Sequence, residues 1–147
     1  MGINIPKIEA AHAILRLADK YILQLRDDKP DLAARGKWSL FGGRINPGET
    51  PLVAIRRELF EELSIRPKKF EFLWQMDYDH VPGESDARVW FFTANVDDIW
   101  DTHRLAEGRG VDTFSFDELK RLNISVVIRG VLERYHLENE NQGCDSE

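Results

Sequence analysis

Apolar positions along this chain recur with two periods, and the changes between them divide it into elements. Residues 8–19 and 20–26 carry short apolar and alternating runs that meet at Ala18-Asp19-Lys20, the pattern of two strands joined by a tight turn. Residues 27–37 are polar, contain Pro30 and Gly36, and read as a loop. A short extended piece at 38–41 runs into Gly42-Gly43, and Asn46-Pro47-Gly48 makes a turn. The period then becomes helical. Leu52, Ile55, Leu59 and Leu63 recur at three- and four-residue steps, Thr50 can cap, and Pro51 suits the first helical position, where its missing N–H is no loss. This predicts a helix over 51–63, and Pro67 prevents much continuation.

Downstream, Phe70, Phe72, Trp74, Met76 and Tyr78 alternate with mostly polar neighbours as in a strand, which Pro82-Gly83 breaks. A second strand at 89–96 is apolar enough to be central. Ser115 and Glu118 form a capping-box pattern before a short helix. A last helix at 125–136 would bury Val127, Ile128, Val131, Leu132 and Tyr135, with no order expected from Glu138 onward. There is no repeat or interior linker, so the chain reads as one domain over 1–137 with a tail at 138–147. Strands, helix, strands, helix: the fold class is α/β, with helices covering both faces of a sheet.

Composition narrows the function. At 147 residues one domain can bury a real core. No apolar run approaches the roughly 20 residues that span a bilayer, so no membrane partner is expected. The opening residues lack a signal-peptide pattern, and the single cysteine, Cys144, lies in the polar tail; both fit a reducing, cytoplasmic compartment. The net charge of −6 argues against duplex nucleic acid as a partner, because such binding needs clustered cations. It equally opposes any anionic substrate unless metal ions intervene.

The predicted 51–63 helix holds Glu58, Glu61 and Glu62 on one side, beside its apolar stripe. Like charges at this spacing repel, and they sit toward the helix C-terminus, where the macrodipole disfavours anions. Arg57 offsets only part of this. A solvated face is the ordinary reading of such a run; the alternative is that a hard cation such as Mg²⁺ or Mn²⁺ occupies it.

The surrounding register favours the second. Gly43, five residues, Glu49, seven residues, then Arg57-Glu58-Leu59-Phe60-Glu61-Glu62-Leu63-Ser64-Ile65 resembles the Nudix box, with Ser64 in place of the final glycine. Trp38-Ser39-Leu40-Phe41-Gly42-Gly43 and Pro47-Gly48-Glu49-Thr50 also look like that family. The resemblance implies a Nudix-type α/β/α sandwich with a mixed central sheet. It implies an enzyme that hydrolyses a diphosphate linkage in a nucleoside diphosphate derivative, such as a nucleotide sugar or a (deoxy)nucleoside triphosphate, by water attack on phosphorus. The carbonyl of Gly43 with Glu58 and Glu62 would bind Mg²⁺ or Mn²⁺, Glu61 would be a ligand or the base for water, and Glu49 with Arg57 would brace the loop against the helix. Family members often add an acidic residue from a later loop; Glu107 is the candidate here, with Asp112 behind it. The segment Gln24-Leu25-Arg26-Asp27-Asp28 resembles one near the substrate pocket, so Arg26 and Arg44 are candidates for phosphate contact. A homodimer is compatible with the resemblance.

Other features point less far. Trp38, Trp74, Tyr78, Trp90 and Phe92 could face a nucleobase, but aromatics at alternating strand positions are more often core. His80 stands alone at a strand end. Ser64 lacks the conformational freedom of glycine, so the helix is expected to end differently from the family pattern, with activity retained. Two other readings differ in class. A nucleotide sensor on the same fold would be marked by loss of a helix glutamate, and none is lost. An isoprenoid diphosphate isomerase would need a buried cysteine, which Cys144 in the tail does not offer. A P-loop is excluded on spacing.

Overall fold

The computed structural model describes residues 8–26, 36–79, 86–106 and 110–145, with side chains as far as 139. Strands β1 (Ile8–Leu17), β2 (Lys20–Leu25), β3 (Trp38–Ser39), β4 (Phe41–Arg44), β5 (Glu71–Tyr78), β6 (Ala87–Asn95) and β7 (Gly110–Phe114) form one mixed sheet. Its order is β3-β2-β1-β6-β5, with β4 also pairing β1 and β7 pairing β2. The pairing of β1 with β6 is parallel and the others are antiparallel.

β1 lies in the middle and is buried on both faces. Ala10 and Ile14 point to one side, and Ala11, Ala13 and Leu15 to the other. On the second side α1 (Pro51–Leu63) covers the sheet. Thr50 Oγ1 accepts the N–H of Val53 at 3.2 Å and Pro51 opens the first turn, as the sequence predicts. Ile55, Leu59 and Leu63 are fully buried, each contributing about 1.5–3 kcal/mol by leaving water. The first side is covered by α2 (Phe116–Leu119), with the Ser115/Glu118 capping box in place, and by α3 (Val126–Asp145) through Val131, Leu132 and Tyr135.

Besides adding β7 and splitting the 38–41 piece into β3 and β4, the structure departs from the sequence reading at three places. The alternation from Phe70 to Tyr78 is not one register. A bulge between Phe72 and Trp74 inserts one residue, so Phe72 pairs with Phe92 while Trp74 pairs with Phe91. Phe70 therefore packs on the α1 side, and Trp74, Met76 and Tyr78 on the α3 side. Second, α3 continues past His136, where apolar periodicity stops; Arg134 pairs with Glu138 at 3.2 Å and the Asn139 amide donates to the Tyr135 carbonyl at 3.1 Å. Third, α1 does not end differently from the family pattern. Ser64 adopts the left-handed conformation (φ 56°, ψ 32°) that a glycine would take, and its N–H donates to the Phe60 carbonyl at 2.9 Å. Ile65, which is buried, pulls the chain back into the core just beyond, so tertiary packing imposes a conformation that serine disfavours by about 1 kcal/mol.

Candidate active site

The helical register turns two of the three glutamates inward. Glu58 and Glu62, four residues apart, face β4, whereas Glu61 lies on the exposed flank with 56% of its side chain in solvent. The glycine pair of β4 receives them. Gly42 N–H donates to Glu62 Oε2 at 3.2 Å, and Glu62 is 5% exposed. At Gly43 an added Cβ would lie 2.6–2.8 Å from the carboxylate atoms of Glu58, so only glycine lets that carboxylate rest against the strand. Two inward carboxylates at this spacing oppose folding unless compensated.

Arg57 supplies part of the compensation, and all five of its N–H donors are used. Nε and Nη2 grip Glu49 at 2.7 and 3.0 Å, and Nη2 also donates to the Arg44 carbonyl at 2.9 Å. Nη1 reaches Glu58 at 2.8 Å and Glu61 at 3.3 Å. Glu49 in turn accepts the Asn46 N–H at 2.8 Å. One guanidinium thus joins the 44–49 loop to the helix and holds two of its glutamates. Its hydrogen bonds, followed by that of Asn46, depress the Glu49 carboxyl below its ordinary range; Arg57 is raised, chiefly by Glu49.

The helix C-terminus carries a second loop. Arg104 N–H donates to the Leu63 carbonyl at 2.8 Å and Ala106 N–H to the Glu62 carbonyl at 2.9 Å, satisfying groups that a helix end leaves open. Glu107 follows immediately but lies outside the described residues, as does His80. The side chain of Cys144 does too. Asp112 is exposed on β7 and accepts the N–H of Thr113 at 2.8 Å. Arg26 is half-buried at the end of β2, and the Arg44 side chain is exposed at the end of β4. Trp38, Trp74, Tyr78, Trp90 and Phe92 all pack against the two cores. A cavity of about 670 Å³ bounded by Arg16, Lys68, Lys69 and Tyr135 contains none of the sequence-predicted site residues.

Sequence reasoning passed over two residues in this part of the sheet. Gly42 is one; its pairing with Gly43 before the box was the available signal. His12 is the other. It lies opposite Gly42 in the β1–β4 register, and a Cβ on Gly42 would fall 2.9 Å from its Nδ1. Burial, then the charge of Arg26, lowers its pKa from 6.5 to about 4, so the ring is neutral at pH 7. Its Nδ1 is buried without a well-formed hydrogen bond among the described residues, and the Phe41 backbone beside the ring opposes the shift only in part.

Among the described residues no three His, Cys, Asp or Glu side chains converge to hold a metal ion. The donors that are present, two inward carboxylates beside a glycine strand, still fit Mg²⁺, which is typically held by one or two carboxylates together with water and substrate phosphates. With no side chain at Gly43, the Glu58 carboxylate lies directly against the strand backbone, which puts the Gly43 carbonyl and that carboxylate side by side as oxygen donors.

A NUDIX domain model matches residues 6–135 of the chain. Over 86 residues the chain is 31% identical to the 8-oxo-dGTP diphosphatase of Escherichia coli (strain K12), a match spanning 58% of this chain and 64% of that relative. Among solved structures, the MutT protein from Methanosarcina mazei Go1 has a TM-score of 0.77 at 22% identity, covering 94% of this chain and 99% of its own. A bifunctional NMN adenylyltransferase/ADP ribose pyrophosphatase from Francisella tularensis, complexed with AMP and Mn ion, has a TM-score of 0.70 at 19% identity over 90% of this chain and 42% of its own. At these identities the two structures share the fold.

Proposed function

Because the chain belongs to the Nudix family, we propose that it hydrolyses a diphosphate linkage in a small nucleotide with the help of a divalent metal ion. The observation that carries this is the inward pair Glu58 and Glu62 against Gly42-Gly43, an arrangement whose repulsion Arg57 offsets only in part. The Gly43 carbonyl, Glu58 and Glu62 would hold Mg²⁺ or Mn²⁺. When bound, the ion supplies positive charge for the bridging phosphate oxygens and lowers the pKa of coordinated water.

The chain's own residues do the rest. Arg57 and Glu49 fix the helix against the 44–49 loop and so aim the carboxylates. Glu61, held among the described residues by the longer Arg57 contact, is free enough to accept a proton from the attacking water. Arg26 and Arg44 can meet substrate phosphates, and Glu107, next in sequence after the anchored Ala106, would add a carboxylate. The named relative acts on 8-oxo-dGTP and a structural neighbour is an ADP ribose pyrophosphatase, so an oxidised nucleoside triphosphate and a nucleotide sugar are the two substrate classes to try.

The test is release of nucleoside monophosphate or phosphate from nucleoside triphosphates, 8-oxo-dGTP and ADP-ribose. It is run with Mg²⁺, with Mn²⁺ and with chelator, alongside Glu61→Gln and Glu62→Gln. Metal-dependent turnover that the variants lose supports the proposal. Tight nucleotide binding without turnover of anything would replace it with a sensor role.

A further inference from the structure

The cavity of about 670 Å³ lies apart from the box glutamates, and its size falls within the roughly 300–1,000 Å³ of small-molecule sites. Arg16, which lines it, is four residues along β1 from His12, the residue opposite Gly42. At the rise of a strand, roughly 13 Å of backbone separate the two positions. Arg16 is fixed in place. The Val96 N–H donates to its carbonyl at 2.9 Å, and its own Nε donates to the Lys20 carbonyl at 3.2 Å. Its guanidinium stacks 4.3 Å from the centre of the Tyr21 ring and 5.6 Å from that of Tyr135. These contacts hold it half-buried yet engage one of its five N–H donors, and among the described residues no carboxylate meets it.

Lys68 and Lys69, on the loop between α1 and β5, bring two more cations to the same cavity in a chain whose net charge is −6. Glu71 and Asp98 line it as well. Among the described residues none of these five charged groups pairs with another. Cations and carboxylates that share a cavity without pairing leave both N–H donors and oxygen acceptors for a ligand. A bare anion meets the first and is repelled by the second. A phosphate ester that carries hydroxyl groups meets both: its phosphate takes the guanidinium and ammonium donors, and its hydroxyls donate to the carboxylates. The buried ring of Tyr135 gives the wall an apolar face for the carbon skeleton. We infer that this cavity is a second ligand site, which takes a small sugar phosphate and uses Arg16 as its phosphate anchor. The site goes beyond the hydrolase reading, since a phosphate monoester has no diphosphate linkage to cleave.

The test is calorimetric and needs no turnover. Ribose 5-phosphate, inorganic phosphate and ribose are titrated, with chelator present, into wild type and four variants. These are Arg16→Met, Lys68→Ala with Lys69→Ala, Glu71→Ala with Asp98→Ala, and Glu62→Gln. Wild type is expected to bind ribose 5-phosphate more tightly than phosphate and not to bind ribose. Arg16→Met and the lysine pair should each weaken ribose 5-phosphate about tenfold. The carboxylate pair should weaken ribose 5-phosphate but not phosphate, and Glu62→Gln should change neither. Should Arg16→Met fail to fold, the two lysines, which are exposed, decide. The inference is overturned if wild type does not bind ribose 5-phosphate, or if binding is indifferent to Arg16 and the lysines. It is overturned equally if phosphate binds as tightly as its ester, or if the carboxylate pair leaves the ester unaffected. A loss in Glu62→Gln would also sink it, by moving the ligand to the box glutamates.

Discussion

The two faces of the sheet are covered by helices of opposite character. α3 spends its inward positions on Val131, Leu132 and Tyr135, and its contacts with the sheet are those of an ordinary core. α1 also buries Ile55, Leu59 and Leu63, but it turns Glu58 and Glu62 inward beside them and needs Arg57, with every donor engaged, to hold the arrangement. The α3 face is built for stability. The α1 face keeps a charge arrangement that folding alone does not favour, and such exceptions to packing logic mark sites of chemistry.

If that contrast is right, the two faces should fail differently. Glu62→Gln should reduce kcat/KM by about 100-fold or more while leaving the melting temperature equal or raised, because a buried carboxylate is neutralised. Steady-state kinetics beside calorimetry checks both halves; a fall in stability to match the loss of activity would dissolve the distinction. Leu132→Ala on the other face should do the reverse, costing about 2–5 kcal/mol of stability by denaturant titration with activity per folded molecule unchanged. Gly43→Ala should fall between them, since its methyl would collide with the Glu58 carboxylate: activity drops sharply and stability by about 1–3 kcal/mol.

Acid should sharpen the comparison further. Glu49 is depressed below 4.5, so its contribution is complete above that pH. As the pH drops below 4.5 the unfolded chain takes up the proton first, and stability falls until the folded carboxyl is protonated too. Urea midpoints between pH 7 and 3 should decline less steeply in Glu49→Gln than in wild type. The smallest effect expected is from Ser64→Gly, a gain of up to about 1 kcal/mol with no change in kcat. An activity gain of orders of magnitude would instead mean that the serine limits the site.

Much of the α1 face was legible in the sequence because its signals are local and coincide. Thr50 and Pro51 start the helix, the apolar steps set its inner stripe, and the box spacing places Glu49 opposite Arg57. What escaped was set by distant contacts. Ser64 is forced left-handed by Ile65 entering the core, against its own preference. The inserted residue of β5 is invisible in an alternation that looks unbroken from Phe70 to Tyr78. α3 runs beyond His136 on polar residues that carry no periodic signal. His12 reads as one more strand residue until the β1–β4 register sets it against Gly42.

The β5 bulge has a further effect. β5 ends the sheet's strand order, so among the described residues one of its backbone edges is paired with no other strand, and Phe72 on it is 54% exposed. A flat apolar edge of this kind would be a template for another molecule to add a strand. The extra residue at Leu73 twists the edge and breaks its hydrogen-bond rhythm midway, so an incoming chain could follow it for only a few residues before losing step. The irregularity that divides the aromatic rings between the two cores also makes this edge a poor template for strand addition.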